Sequence, residues 1–142
     1  MTQTNVQAGD IFIFYGLLKQ GAAGEAGALG LEVAGEFLGP CRFRATMLDL
    51  GGFPGIVAGS ALCQGVRWRV KDARVIPAMD EFEDVTDDPA TSLYLRRKMP
   101  VLNETGAETG EQAWIYIYNQ KTDGFAILPD GNWPLDRGRS RK

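Results

Sequence analysis

At 142 residues the chain has the length of one domain, and 44% hydrophobic residues suffice for an ordinary packed core. It contains no histidine, which excludes Ser-His and Cys-His catalysis and removes the commonest metal ligand, so acid-base chemistry falls to carboxylates, Lys or Tyr. The net charge of −3 is uneven: Arg137, Arg139, Arg141 and Lys142 hold four of the 15 basic residues, leaving 11 against 18 acidic ones elsewhere, a balance of −7.

An acidic body of this kind argues against a nucleic-acid groove, which needs a basic patch. Residues 1–136 read as a single domain, and 137–142 as a basic, disordered tail. No apolar run approaches the roughly 20 residues of a membrane helix, and the N-terminal MTQTNVQAGD lacks the apolar stretch of a signal peptide. The expected location is the cytoplasm, with no membrane partner. Cys41 and Cys63 form no CxxC pair and read as buried thiols.

In chain order, Ile11 to Tyr15 (IFIFY) is apolar on both faces and is followed by Gly16, which predicts a central strand ending in a turn. Lys19 to Gly30 is rich in Gly and Ala and reads as a mobile loop. Arg42 to Met47 alternates, with Phe43, Ala45 and Met47 on one face; Leu48 and Leu50 break the parity and predict a bulge or strand end. Val66, Trp68 and Val70 alternate against Arg67 and Arg69, as in a half-buried strand.

Asp72 is a candidate N-cap for a helix whose apolar stripe is Val75, Ile76, Met79 and Phe82. Pro77 restricts that helix to a start near Arg74 or later, with an end about Asp84. Leu93 to Val101 suggests a strand, Gly106 to Gly110 a hairpin loop, and Ala113 to Tyr118 (AWIYIY) an interior strand. Regular βαβ alternation is missing. The expected class is therefore α+β, a small mixed β-barrel-like sheet of about six strands flanked by one or two short helices.

Two nucleotide-binding signatures, GxxxxGK[ST] and a GxGxxG after the first strand, are absent, as is a GxSxG elbow. The densest charge cluster is Asp80, Glu81, Glu83, Asp84, Asp87 and Asp88, whose spacing is not that of an EF-hand. No metal or cofactor is expected. On helical geometry Glu83 shares a side with Ile76, Met79 and Phe82 while Glu81 and Asp84 point away, so Glu83 is the acid expected to be partly desolvated.

Three segments in order resemble the gamma-glutamylcyclotransferase-like family. Phe14-Tyr15-Gly16-Leu17-Leu18-Lys19 is similar to its Tyr-Gly-Ser/Thr-Leu substrate loop, and Met79-Asp80-Glu81-Phe82-Glu83 to its Leu-Asp-x-x-Glu segment, followed by Tyr94-Leu95-Arg96 in place of Tyr-x-Arg. Ala113-Trp114-Ile115-Tyr116 and Gly131-Asn132-Trp133 resemble the Ala-Trp-x-Tyr and Gly-Asp-Trp of bacterial members. Leu17 stands where the family has Ser or Thr, and Asp84 where it commonly has glycine.

The resemblance implies a cofactor-independent reaction in which the α-amine of a γ-glutamyl amine or peptide attacks its own γ-carbonyl, giving 5-oxoproline and a free amine. It further implies Glu83 as the catalytic acid/base, main-chain donors at Gly16, Leu17 and Leu18 for the substrate, and Tyr15 and Tyr116 as candidate pocket walls. The alternative carried beside it is a binding module for γ-glutamyl-like small molecules without turnover.

Overall fold

The computed structural model describes residues 6–16, 30–51, 53–86 and 88–133. The basic tail and residues 19–29 of the Gly-rich loop lie outside them, as do Leu17 and Leu18. Six strands appear in the order β1 (Ile11–Phe14), β2 (Gly35–Asp49), β3 (Pro54–Val70), β4 (Tyr94–Leu102), β5 (Glu108–Tyr118) and β6 (Ala126–Ile127). Two short helices, α1 (Leu31–Ala34) and α2 (Ile76–Phe82), accompany them.

The sheet order is β3-β1-β5-β4-β2-β6, and a further pairing of β2 with β3 turns the first five strands into a ring. The sheet is therefore barrel-like. β1 is central: it runs antiparallel to β3 (Ile13 opposite Arg67) and parallel to β5 (Phe12 opposite Trp114). The ring is thinnest at two seams with one paired position each, β2 with β4 at Arg42 and Leu102 and β1 with β5 at Phe12 and Trp114.

Strand alternation sorts the apolar side chains into two cores. Ile11, Ile13 and Tyr15 join Phe43, Met47, Ile56, Cys63, Val101, Ala113 and Ile115, so all five ring strands contribute to one cluster, the barrel interior. Phe12 and Phe14 face the other way, joining Trp68, Tyr94 and Tyr116 under α1 and α2. This explains why IFIFY and AWIYIY are apolar on both faces: each strand is covered on both sides. Gly35 allows this packing, because a Cβ there would meet the Trp68 ring at 2.2 Å.

Two local expectations hold in part. Of the two readings of Leu48 and Leu50, the strand end holds, since β2 stops at Asp49, and the bulge in their own strand does not; they join the outer cluster while Met47 joins the interior, so both faces are buried at that end of β2. The irregularity sits in the partner, where Ala45 opposes Ala61 but Thr46 opposes Val57, leaving residues 58–60 of β3 looped out. The second β-hairpin turns earlier than its glycines suggest. Asn103 Oδ1 accepts from the amides of Thr105 (2.9 Å) and Ala107 (3.1 Å), and Gly110 is already inside β5. Gly106 does lie in this turn, at φ 88, so the glycine expectation holds there and fails at Gly110, with the Asn103 side chain capping the turn.

Cys41 and Cys63 are both free and buried. Burial pushes the Cys41 thiol up from 9.0 to about 12, with Arg67 opposing and Glu111 adding to the rise. The unfolded chain ionises this thiol at ordinary alkaline pH and the native protein does not. Its contribution to stability is therefore full below about pH 9 and is lost as pH climbs toward about 12, by up to roughly 4 kcal/mol. Urea midpoints should fall across that window in the wild type and fall less in Cys41→Ala; equal slopes would show that the thiol is not the cause.

Candidate active site

α2 and its flanks build the site. Asp72 accepts from the Arg74 amide at 3.0 Å, a 3-10 turn covers Ala73–Val75, and Pro77 sits in the first turn of α2, where its missing N–H costs nothing. Ile76 and Met79 are fully buried against the outer face of the sheet. Each such side chain stabilises the docking by about 1.5–3 kcal/mol. The stripe and the late start agree with the sequence expectation, but Asp72 is corrected as the N-cap: it caps the 3-10 turn, and α2 itself begins after Val75, which gives no side-chain cap, and ends at Phe82.

The helix stops in a Schellman turn. Val85 N–H reaches back to the Asp80 carbonyl (2.9 Å) and Asp84 N–H to that of Glu81 (3.1 Å), with Glu83 as the C-cap residue. Asp84 adopts φ 56, alone among described non-glycine residues in the left-handed region. The position therefore asks for glycine, and aspartate is one of the few side chains that tolerate it. Asp84→Gly should raise unfolding stability by about 1 kcal/mol, whereas Asp84→Val should lower it. A urea midpoint that drops in the glycine variant would contradict this.

One carboxylate of the acidic cluster is buried against the sheet. Asp80 is only 6% exposed. The Tyr116 hydroxyl donates to its Oδ1 at 2.8 Å, and the Arg96 guanidinium approaches its Oδ2 at 3.5 Å. Burial raises the Asp80 carboxyl above its ordinary value, while the Tyr116 hydrogen bond and the Arg96 charge pull it down. Glu83, one turn further along, is half-buried. Sequence reasoning missed Asp80, grouping it with the solvated acids. The signal was present: Ile76 and Asp80, like Met79 and Glu83, are four residues apart and share one helical face.

Tyr116 is buried, and its phenol is pushed well above its ordinary value by burial first and then by the charges of Asp80 and Glu83. The Glu83 charge is thus within electrostatic reach of the Tyr116 phenol. Arg96 in turn lies over the Trp114 ring (5.5 Å), and the Trp114 indole donates to Asp10 at 3.1 Å. Tyr94, the first residue of the Tyr-x-Arg pattern, donates instead to the Pro54 carbonyl.

The remaining candidates separate. Tyr15 belongs to the barrel interior, with its hydroxyl bonded to the Tyr116 carbonyl at 2.6 Å. Gly16 is buried under Pro54, whose ring a Cβ would meet at 2.5 Å, so this glycine has a packing reason independent of any ligand. Past the α2 turn a cleft of about 220 Å³ opens, floored by Arg96 and Trp114 and edged by Val85, Thr86 and Pro89. A roomier cleft of about 420 Å³ lies at Cys41, Arg67 and Glu111, and its main charges pair with each other at 2.9 Å. The smaller cleft is the one that reaches the Asp80 group, through Arg96. Among the described residues no group of His, Cys, Asp and Glu has the arrangement of a metal site, and no helix is long and apolar enough to cross a membrane.

The family profile described as "Gamma-glutamyl cyclotransferase, AIG2-like" matches residues 12–135. A Vibrio cholerae protein named "Putative gamma-glutamylcyclotransferase" is 28% identical over 119 residues, covering 84% of this chain and 90% of its own. In structure the chain is similar to an AIG2-like protein from Mus musculus (TM-score 0.66, 19% identity, 90% of each chain). It is also similar to protein ytfP from Escherichia coli (TM-score 0.60, 22% identity, 87% of this chain and 95% of that one). The two structural likenesses establish a shared mixed α+β fold.

Proposed function

Because the chain belongs to the gamma-glutamyl cyclotransferase, AIG2-like family, we propose that it closes the glutamyl part of a γ-glutamyl amine or peptide into 5-oxoproline and frees the amine, with Glu83 carrying the protons. The observation that supports Glu83 is the division of labour on one helical face. Asp80 is buried and committed to Tyr116 and Arg96, whereas Glu83 is only partly buried and its charge is felt at the same tyrosine.

The chemistry needs little else. The attacking amine and the γ-carbonyl belong to one molecule, and effective molarities of about 10⁵ M or more for well-oriented intramolecular reactions make conformer selection a large part of catalysis. Glu83 takes a proton from the α-ammonium, which frees the lone pair that forms the new C–N bond, and gives that proton to the departing nitrogen as the old C–N bond breaks. The second proton shed by the ring nitrogen goes to the freed amine, which leaves as an ammonium, so protons balance over the cycle. The cleft past the α2 turn, beside Arg96 and Trp114, offers room for the amine half. Purified protein should release 5-oxoproline from members of a panel of γ-glutamyl amines and peptides, γ-glutamyl-lysine included. Saturable binding across the panel without product would instead support the binding-module reading.

A further inference from the structure

Asp80 is a buried carboxylate that the proton shuttle does not use. It bridges two strands: Tyr116 comes from β5 and Arg96 from β4, opposite each other in the sheet, and both converge on the one side chain. Arg96 is itself held, its side chain 9% exposed between Asp80 and the Trp114 ring. Tyr116 is anchored from behind by the Tyr15 hydroxyl on its carbonyl. The last turn of α2 thus rests on a row of fixed polar groups, and the residue that follows that turn is Glu83.

We propose that Asp80 is a positioning residue: through Tyr116 and Arg96 it pins the end of α2 to the sheet and sets the charge that Glu83 works against. This rests on the Glu83 reading above. The charges felt at the buried Tyr116 phenol are those of Asp80 and Glu83 from α2 and its end and of Arg96 from β4, whereas Glu81 and Asp84 are exposed. Asp80 and Arg96 largely cancel as a pair. Removing one leaves the other as a net charge beside the proton shuttle, and the two removals act in opposite directions.

The test uses the full chain with a γ-glutamyl substrate that the wild type turns over. Asp80→Asn keeps an acceptor for Tyr116 but leaves Arg96 uncompensated. It should lower kcat about tenfold or more with KM changed less than about twofold, and shift the acid limb of the pH–rate profile down by roughly half to one pH unit. Arg96→Gln should move that limb up, and the double variant should return it close to the wild type, a coupling that independent sites do not show. If one single variant fails to fold, the direction of the other still decides. Folded variants with unmoved acid limbs, or with losses confined to stability, would overturn the positioning role. If Glu83→Gln retains full turnover, the fault lies with the Glu83 reading itself.

Discussion

Glu83→Gln should remain folded and lose 5-oxoproline release by about 10²–10⁴-fold, the usual scale for removing a general acid/base. Glutamine preserves the backbone role of this position: Glu83 N–H bonds the Met79 carbonyl at 3.0 Å and the residue is the C-cap of α2. Glutamine also keeps the side chain's size while removing its capacity to accept and return a proton. The matched control is Glu81→Gln, two residues away, exposed and on the solvent side of the helix, which should leave kcat/KM within about twofold. Initial rates with matched urea midpoints check both. Full turnover by a folded Glu83→Gln would refute the assignment.

The contrast between these two glutamates shows what the chain makes legible. Wherever burial on both faces left a continuous apolar run, as in β1 and β5, the sequence predicts the strand and its central place. α2 was nearly as readable, since Pro77 fits only its first turn; Asp72 marks the 3-10 turn that precedes it rather than α2 itself. Asp80 was not readable in the same way. One carboxylate among six looks solvated until a tyrosine and an arginine, 36 and 16 residues away, converge on it. The same holds for the loop-out of residues 58–60, because register is a property of two strands and neither sequence alone contains it. β6, two residues long, carries no periodicity to read. Asp84 shows the opposite case: its departure from the family's glycine is accounted for by a left-handed turn that aspartate can enter.

The Gly131-Asn132-Trp133 segment, which the sequence presents as a family signature, has a physical reason in the barrel core. Trp133 is 1% exposed and belongs to the interior cluster with residues from all five ring strands. The chain is led there by hydrogen bonds from Gln64 N–H to the Gly131 carbonyl (2.8 Å) and from Gly131 N–H to the Leu128 carbonyl (3.0 Å). Gly131 has φ 60, and a Cβ on it would stand 2.8 Å from the Cys63 Cα, so the backbone lies directly on β3. Trp133→Ala should therefore empty a large interior volume and cost about 3–5 kcal/mol. That corresponds to a fall in Tm on the order of 10 °C for a domain of this size. Ile127→Ala, at a side chain 61% exposed, provides the baseline and should cost less than about 0.5 kcal/mol. If the signature instead served the ligand, Trp133→Ala would raise KM while leaving Tm near that baseline. Calorimetry and substrate titration on the same preparation separate the two, because an interior tryptophan moves Tm and leaves KM of the folded enzyme where it was.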